Sequence, residues 1–394
     1  MDRLNLDTFW GSSLAFALNN YPLGFNYSKY LLISVLALFD YTYICNLIIS
    51  DSDSFITAIS SAFLLDIRFK NSFKSGERIL LSQLASKLVA STRKCKYTGW
   101  PAFFLFLNIF PFIAPILFRK RFSLIPVGAW IVLSASFTLD RFILFDLFAE
   151  IMKNTNLVIY WILTLSITIS APLVFPLIFR NQNSLRKFYH FAAVALFIPA
   201  AFASLKILQI ALAVAASLFL LLETLRTEAN NRGHKLFALY SLNEFMERCR
   251  NELDSGEMIF SHLYLLLGCA IPFWLNGDQL KMSSFAGVIS LGIGDSLASI
   301  GGKSFGRTRW HFKTRKTIEG SLCGCIGMVL SWYMLVIMLM YKIQDHCIPQ
   351  YYYYRLLFVS VASSIWEALI DLNDNITLPI FTFIIIKLLQ DFAA

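Results

Sequence analysis

Charged residues are scarce in this sequence: Asp, Glu, Lys and Arg make up 15% of its 394 residues, whereas 57% are hydrophobic. Soluble domains average about 25% charged and about 45–50% apolar residues. The shortage of charge therefore excludes an ordinary soluble globular protein. Apolar runs close to the ~20 residues that cross a bilayer core recur along the chain, which predicts a protein with several membrane spans.

Other signals are missing as well. Seven cysteines are scattered without metal-site spacing, and Cys323 and Cys325, which open an apolar run, are interpreted as packing residues.

The first residues lack the basic region and apolar core of a cleavable signal peptide, so we expect the first apolar run to act as an uncleaved anchor. The net charge of +9 does not indicate nucleic-acid binding, because the cations gather beside apolar runs, as the positive-inside rule describes.

The apolar runs predict an all-α fold, a polytopic transmembrane helix bundle of about nine to twelve spans with its catalytic loops on the cytosolic face. The main runs are Tyr30–Ser50, Phe103–Phe118, Phe122–Thr138, Leu157–Phe179, His190–Leu222 (two crossings), Met258–Leu275, Phe285–Ile300, Leu322–Tyr341, Leu356–Ile370 and Ile376–Leu389. We divide the chain into residues 1–180, a transmembrane region with a basic cytosolic loop at Arg68–Lys96, and residues 181–394, a transmembrane catalytic region.

Sidedness follows from placing the cations of Arg180–Lys187 in the cytosol. Counting crossings from there puts four polar stretches on the same membrane face. These stretches are Ser184–His190, Glu223–Arg226, Gly292–Gly320 and Glu367–Asn375. Residues far apart in sequence are thereby predicted to meet at one surface.

The stretch Gly292–Gly320 combines glycines, an acid and cations between two apolar runs. Its glycines allow close backbone approach and positive φ angles, and such turns aim N–H groups at phosphates. Asp295 ends an apolar run, where a carboxylate needs a metal or a cation. The cations that suit a triphosphate are Lys303, Arg307, Arg309, Lys313, Arg315 and Lys316. The alternative, that cations here only fix topology and glycines only pack helices, stays open.

Two familiar nucleotide motifs are excluded in this stretch. A Walker A loop ending at Gly302-Lys303-Ser304 needs its first glycine at Leu297, and a dinucleotide loop beginning at Gly292 needs a glycine at the same position. Neither has the alternating strand and helix that such motifs require. The stretch is therefore not a standard soluble nucleotide-binding fold.

Three further polar groups accompany it. Arg186 and Lys187 precede an apolar run that His190 enters, which also fits a basic flank with an interfacial histidine. Glu223 and Arg226 are spaced i,i+3 and are expected to pair on one helix face. Glu367 and Asp371 are spaced i,i+4 on an apolar helix, with Asp374 just after, so they are candidate metal ligands or organisers of a phosphate site; a simple helix end is the alternative.

Taken in order, RKFYH, ETLR, SHLYLLLGCAIPFWL, GIGDSLASIGGKSFGRTRW, KTIEG and EALIDLNDNITLP resemble the dolichol kinases, within a wider group of CTP-dependent diacylglycerol and phytol kinases. The resemblance covers roughly Ser184 to the C-terminus. It implies transfer of the γ-phosphoryl group of CTP to dolichol at the endoplasmic reticulum membrane, on its cytosolic face. The product, dolichyl phosphate, serves protein N-glycosylation. Dolichol, CTP, a divalent cation such as Mg²⁺ and membrane lipids are the implied partners, and nucleic acid is not one.

The resemblance also implies roles for particular residues. Asp295, Arg186, Lys187 and Gly302 match positions needed for activity in the wider family, and Glu319 is a further candidate catalytic residue. Asp295, Glu367, Asp371 and Asp374 are the candidate metal ligands. The implied CTP contacts are Gly302, Lys303, Ser304, Gly306, Arg307, Arg309, Trp310, Lys313, Arg315, Lys316 and Thr317. Trp310 is expected to stack on cytosine.

Three other functions stay open at this point. A CTP-dependent kinase for diacylglycerol or another isoprenoid alcohol has the same donor and a different acceptor. A cytidylyltransferase releases pyrophosphate instead of CDP. A transporter with a basic cytosolic mouth predicts polar residues throughout the spans, whereas in this sequence they concentrate at one face.

Overall fold

The computed structural model describes residues 148–175, 182–232, 259–310, 316–343, 350–370 and 372–391, together with six single residues. Those six are Glu77, Leu81, Asn243, Met246, Glu247 and Arg250. The α-helices of the described part are α1 Thr155–Val174, α2 Gln182–Ala203, α3 Leu205–Arg232, α4 Ser261–Asn276, α5 Ser296–Phe305, α6 Ile318–Ile343, α7 Gln350–Leu369 and α8 Asp374–Asp391. A 3₁₀ turn at Met282–Phe285 and a π-helix at Val288–Asp295 lead into α5.

The long apolar stretch His190–Leu222 is divided at Ser204 between α2 and α3. Pro199 lies in the last turns of α2, and its missing N–H weakens the helix just before this break. Gln209 then ties α3 to α4, because its side-chain amide donates to the carbonyls of Phe273 and Gly277 at 3.1 and 2.7 Å. These bonds satisfy polar groups inside an apolar helix pair, where an unsatisfied group is costly.

The π-helix is the centre of the described fold. It contacts α2, α4, α6, α7 and α8, and its side chains Val288, Ile289 and Leu291 have no exposed surface. A π-helix hydrogen-bonds between residues i and i+5, and such segments occur frequently at functional sites. Asp295 is the last residue of this π-helix and lies where several other helices pack together.

Three helices in the described part are long and apolar enough to cross a membrane: Thr155–Pro172, Gln182–Ala203 and Ile318–Tyr341. Together with the mostly helical fold, they support a helical membrane protein, as the apolar runs predicted. The total of nine to twelve spans and the division at residue 180 stay predictions. The first three predicted spans and the basic loop Arg68–Lys96 lie largely or wholly outside the described residues.

The four polar stretches approach one another at the same end of the helices. Asn375, in the first turn of α8, donates to the carbonyl of Ser261 at the start of α4, 3.4 Å away. Glu223 of α3 accepts a hydrogen bond from the backbone of Ile259, just before α4. The stretches Ser184–His190 and Gly292–Gly320 meet through the ion pair of Lys187 with Asp295. Lys316, in the second of these stretches, pairs with Glu367 at the end of α7. That this end faces the cytosol stays a prediction.

Candidate active site

A buried ion pair joins α2 to the π-helix. Lys187 Nζ lies 2.5 Å from Asp295 Oδ2, and both side chains are 7% exposed. An isolated charge is costly away from water, so each of these groups stabilises the charged form of the other. The cation that Asp295 was predicted to require is therefore supplied from within the chain.

The face of α2 that meets the π-helix carries polar residues at helical spacing. Asn183, Lys187 and His190 follow one another at intervals of four and three, which places them on one face. Asn183 Nδ2 donates to Ser299 Oγ at 3.2 Å, one turn beyond Asp295. Gly292 permits this close approach, because a Cβ at position 292 would clash with the side chain of Val194.

His190 belongs to the site, although the sequence interpretation left it as an interfacial residue. Its Nδ1 lies 3.3 Å from Asp295 Oδ2 and 3.1 Å from the carbonyl oxygen of Leu291, and the residue is 2% exposed. The spacing of three residues from Lys187 was the signal that places it on the same face. Arg186, on the flank of that face, is half-buried.

A second charged cluster lies where α7 ends and α8 begins. Lys316 Nζ lies 2.5 Å from the carbonyl oxygen of Glu367, 3.7 Å from Glu367 Oε1 and 3.8 Å from Asp374 Oδ2. α7 ends at Leu369, and Asp371 lies outside the described residues, so its predicted role beside Glu367 stays a prediction.

The π-helix that carries Asp295 packs against both α7 and α8, which carry the second cluster. Three carboxylates and two lysines are thereby gathered at one end of an otherwise apolar helix assembly.

The glycines between the clusters serve close packing, and the expectation of positive φ angles was wrong for them. Gly292 and Gly294 lie in the π-helix and Gly301 and Gly302 in α5, while Gly306 has φ −64°. In the described residues only Gly277 has a positive φ. The stretch Gly292–Gly320, which contains the implied CTP contacts, is thus helical as far as Phe305.

Close packing against α6 accounts for several glycines in and near this stretch. A Cβ on Gly324 would lie 2.7 Å from the carbonyl oxygen of Gly294, and one on Gly320 would lie 2.7 Å from that of Ala298. A Cβ on Gly302 would lie 2.9 Å from Thr317 Oγ1. The close approach predicted from the glycines is confirmed, and it holds the polar segment after α5 against the start of α6.

The last turn of α5 and the segment after it present cations to solvent. The side chains of Lys303, Ser304, Arg307 and Arg309 are exposed, whereas Lys313 and Arg315 lie outside the described residues. An isolated antiparallel bridge joins Arg309 to Thr317, just before α6. The exposed cations are accessible to an anionic ligand from solvent.

Two side chains of α6 brace this loop. Glu319, which was predicted as catalytic, accepts the backbone N–H of Thr308 with both carboxylate oxygens, at 3.0 and 3.1 Å. Ser321 Oγ accepts the indole N–H of Trp310 at 2.9 Å. The geometry therefore gives Glu319 a contact that positions the loop, in addition to any role at the reacting atoms.

The pair predicted between Glu223 and Arg226 is confirmed. Arg226 Nε and Nη2 donate to the two carboxylate oxygens of Glu223 at 2.8 and 2.6 Å. Glu223 Oε1 also accepts the Ile259 N–H at 2.5 Å, which anchors the start of α4. Burial disfavours the charge of the guanidinium, but the hydrogen bond and charge of Glu223 outweigh it and raise the pKa of Arg226 above its ordinary value.

The carboxylates at the α7–α8 junction suit a hard cation. Glu367 and Asp374 offer oxygens around the Lys316 ammonium, and Asp374 Oδ1 is buried without a hydrogen-bond partner within the described part of the chain. Oxygen donors are those that Mg²⁺ prefers. No group of three His, Cys, Asp or Glu side chains with metal-site geometry occurs among the described residues. The two carboxylates can therefore hold a metal only together with other donors, such as phosphate oxygens or water.

The structure thus defines a helical membrane protein with an acid–cation site at one end of its helices. Comparison with known proteins makes this class more specific, because the chain is similar to dolichol kinases. It is 33% identical over 268 residues to "Dolichol kinase EVAN" of Arabidopsis thaliana. It is 33% identical over 219 residues to the mouse dolichol kinase and 35% identical over 214 residues to that of Saccharomyces cerevisiae. The resemblance inferred from the motifs is confirmed.

The matched segments cover 66%, 52% and 53% of this chain, and 45%, 39% and 37% of the three relatives. The chain therefore spans less than half of the length of each of these relatives. No family model matches the chain, and no solved structure matches it.

Proposed function

We propose that this protein transfers the γ-phosphoryl group of CTP to the terminal hydroxyl of dolichol. The observation that carries the proposal is the buried Lys187–Asp295 pair, next to a cation-rich loop and at the end of apolar helices. Such a site brings a water-soluble anion to an alcohol that stays in the bilayer. Similarity to proteins named dolichol kinase supports the same reaction.

In the proposed reaction the hydroxyl oxygen of dolichol attacks the γ-phosphorus of CTP. The bond from that phosphorus to the β–γ bridging oxygen breaks, and CDP leaves with the bonding electron pair. The hydroxyl proton passes to the carboxylate of Asp295, which Lys187 and His190 hold in place. Phosphoryl transfer depends mainly on positioning and charge neutralisation, so a rigid carboxylate among cations meets its demands.

The cations divide between two tasks in this proposal. Lys303, Arg307 and Lys316 bind phosphate oxygens, with Arg309, Lys313 and Arg315 adding positive charge along the loop. Arg186 and Lys187 close the site from α2. Gly302, Ser304, Gly306 and Thr317 let the loop approach the nucleotide, and Trp310 stacks on cytosine. A guanidinium fork suits two phosphate oxygens and a lysine supplies a point charge.

Glu367, Asp371 and Asp374 would hold Mg²⁺ or another divalent cation, whose charge would neutralise the phosphates of CTP. Asp374 Oδ1, which has no hydrogen-bond partner among the described residues, supports this assignment. Asp295 is the other carboxylate predicted as a metal ligand, and its hydrogen bond to Lys187 leaves Oδ1 for that contact.

We place the protein in the endoplasmic reticulum membrane, with this end of the helices facing the cytosol. The positive-inside rule supports that orientation, because the cations Arg186, Lys187, Lys303, Arg307, Arg309 and Lys316 lie at this end. CTP is available on that side, and the product would serve protein N-glycosylation. Residues 181–394 would form the catalytic region.

The experiment is to incubate purified protein with γ-labelled CTP or ATP and with dolichol, diacylglycerol or phytol. The proposal expects label in dolichyl phosphate from CTP, with CDP as the second product. Label in phosphatidate or phytyl phosphate instead would identify a kinase for another alcohol. Release of pyrophosphate would identify a cytidylyltransferase. Absence of transfer to every alcohol, together with uptake of solute by proteoliposomes, would favour the transporter.

A further inference from the structure

Glu77 joins the predicted basic loop Arg68–Lys96 to the junction of α7 and α8. Its Oε1 accepts the backbone N–H of Asn373 at 3.0 Å, although the two residues are 296 positions apart. Glu77 is 4% exposed and Asn373 is 2% exposed, so the bond is shielded from water. Leu81, four residues after Glu77, is half-buried against the hydrophobic core. The N-terminal region therefore supplies a buried polar contact directly before Asp374.

The turn that Glu77 contacts forms the start of α8. Asn373 immediately precedes α8, and its Oδ1 accepts the N–H of Asn375 at 3.1 Å, as the side chain of an N-cap residue does. The carbonyl oxygen of Asn373 accepts the N–H and the hydroxyl of Thr377 at 3.2 and 3.0 Å. The N–H of Asn373 points away from these bonds to the helix, and Glu77 accepts it.

Glu77 supplies a contact that many helices make within their own first turn. In a capping box, a Glu or Gln at the third helical position accepts the backbone N–H of the N-cap residue. The third position of α8 is Ile376, whose side chain has no acceptor. A carboxyl group from a distant segment takes the place of the missing one, so the start of α8 depends on Glu77.

We infer that Glu77 is a positioning residue of the candidate active site and acts through Asn373 on Asp374. Asp374 is the first residue of α8, and its Oδ2 lies 3.8 Å from Lys316 Nζ. The direction of its side chain depends on the backbone of the turn that Glu77 holds. This role rests on the proposed function, in which Asp374 holds the divalent cation, and it extends the site beyond residues 181–394.

The first test compares two substitutions at Glu77 in the full-length protein. Glu77→Ala removes the acceptor, whereas Glu77→Gln keeps an amide oxygen that can accept the same N–H. We expect the Mg²⁺ concentration for half-maximal turnover to rise by about tenfold or more in Glu77→Ala, because outer partners of metal ligands typically change metal affinity by about 10–100-fold. The KM for dolichol should stay unchanged, and Glu77→Gln should resemble wild type. An unchanged Mg²⁺ dependence in Glu77→Ala would overturn the role.

Glu150→Ala is the matched control for a contact that is only structural. Glu150 Oε1 accepts the Ser204 hydroxyl at 3.1 Å, so the same substitution removes a hydrogen bond between helical segments. Ser204 follows the far end of α2, about 25 Å from Lys187 at a rise of about 1.5 Å per residue. Glu150→Ala should lower the melting temperature without changing the Mg²⁺ dependence. An equal rise in the Mg²⁺ requirement of both variants would show that lost stability alone causes it.

A double-variant cycle tests whether Glu77 acts through Asp374. Turnover is measured at one subsaturating Mg²⁺ concentration for Glu77→Ala, Asp374→Asn and the double variant. Glu77→Ala should add no further loss to Asp374→Asn, because the turn then carries no carboxylate to position. Independent losses that multiply in the double variant would show that Glu77 acts elsewhere in the protein.

Hydrogen exchange gives a readout that needs neither substrate nor metal. The amide of Asn373 should be protected in wild-type protein, because Glu77 accepts its N–H. It should exchange about 2–10-fold faster in Glu77→Ala, the factor for one lost hydrogen bond, and at the wild-type rate in Glu77→Gln and Glu150→Ala. Exchange of this amide in wild-type protein as fast as in an exposed loop would overturn the contact itself.

The two proposals fail in different ways. If wild-type protein phosphorylates dolichol but Glu77→Ala keeps the wild-type Mg²⁺ dependence, the positioning role is wrong and the proposed activity stands. If wild-type protein phosphorylates no isoprenoid alcohol, the proposed activity is wrong, and hydrogen exchange alone decides whether Glu77 holds the start of α8. Thermal unfolding in detergent shows whether each variant is folded, and a misfolded Glu77→Ala leaves the decision to the Asn373 amide of wild-type protein.

Discussion

Lys187 and Asp295 are 108 positions apart in the chain, yet their side chains meet at 2.5 Å inside the helix assembly. The contact links the first turns of α2 to the last residue of the π-helix. It makes Asp295 a carboxylate with a fixed position and a charge balanced by the protein. The proposed catalysis and the stability of the fold should therefore both depend on this pair.

Asp295→Asn should lower kcat for dolichol phosphorylation by at least 100-fold, measured per folded protein. The amide cannot accept the hydroxyl proton, and loss of a general base costs about 10²–10⁴-fold. Asp278→Asn is the matched control, because Asp278 is exposed beyond α4 at the opposite end of that helix. Near-normal turnover of Asp295→Asn would remove this carboxylate from the mechanism.

The Lys187–Asp295 pair should also show coupling in stability. Lys187→Met and Asp295→Asn each leave one buried charge without its partner, which costs about 3–5 kcal/mol. The double variant removes both charges, so its loss should be clearly smaller than the sum of the two single losses. Thermal unfolding in detergent of all four proteins measures the coupling, and additive losses would show that the two residues do not interact.

Lys316→Ala should raise the KM for CTP by about 10–100-fold with little change in the KM for dolichol. The variant removes a cation next to the proposed phosphates, and a hydrogen bond to a charged group contributes about 1.5–3 kcal/mol, with 1.4 kcal/mol equal to a factor of ten. Lys281→Ala, at an exposed lysine at the far end of α4, is the control. An unchanged KM for CTP would mean that Lys316 serves only to pair with Glu367 and Asp374.

Glu319 offers a choice between two roles that substitutions can separate. Because both of its carboxylate oxygens accept the Thr308 N–H, Glu319→Gln should keep an acceptor and most of the affinity for CTP. Glu319→Ala should release the loop and raise the KM for CTP several-fold, with kcat reduced far less. If Gln and Ala variants instead lose kcat equally, the carboxylate acts at the reacting atoms.

Gly324→Val should separate α5 from α6. A Cβ at this position would lie 2.7 Å from the Gly294 carbonyl oxygen and 3.0 Å from the Ala298 Cβ, so the helices must move apart. Overpacking of this kind costs about 1–3 kcal/mol. Ile326→Val, on the exposed face of the same helix, should change stability by less than about 0.5 kcal/mol. Equal melting temperatures for the two variants would contradict close packing at Gly324.

Much of the site was accessible from the sequence. Asp295 was singled out because an acid at the end of an apolar run needs a partner, and Glu223 and Arg226 because their spacing places them on one helix face. His190 was undervalued, although it follows Lys187 by three residues. The glycines were assigned to turns, whereas in the structure they let α5 and α6 approach each other.

The sequence by itself determined the helical membrane class, the segments that carry charge and their presence at one end of the helices. It did so because apolar length, helical spacing and the clustering of cations are local properties of the chain. Only the tertiary structure decided which acid meets which cation, since pairing across 108 positions depends on how helices pack. The same packing brought Lys316 to Glu367 and Asp374 at the junction of α7 and α8.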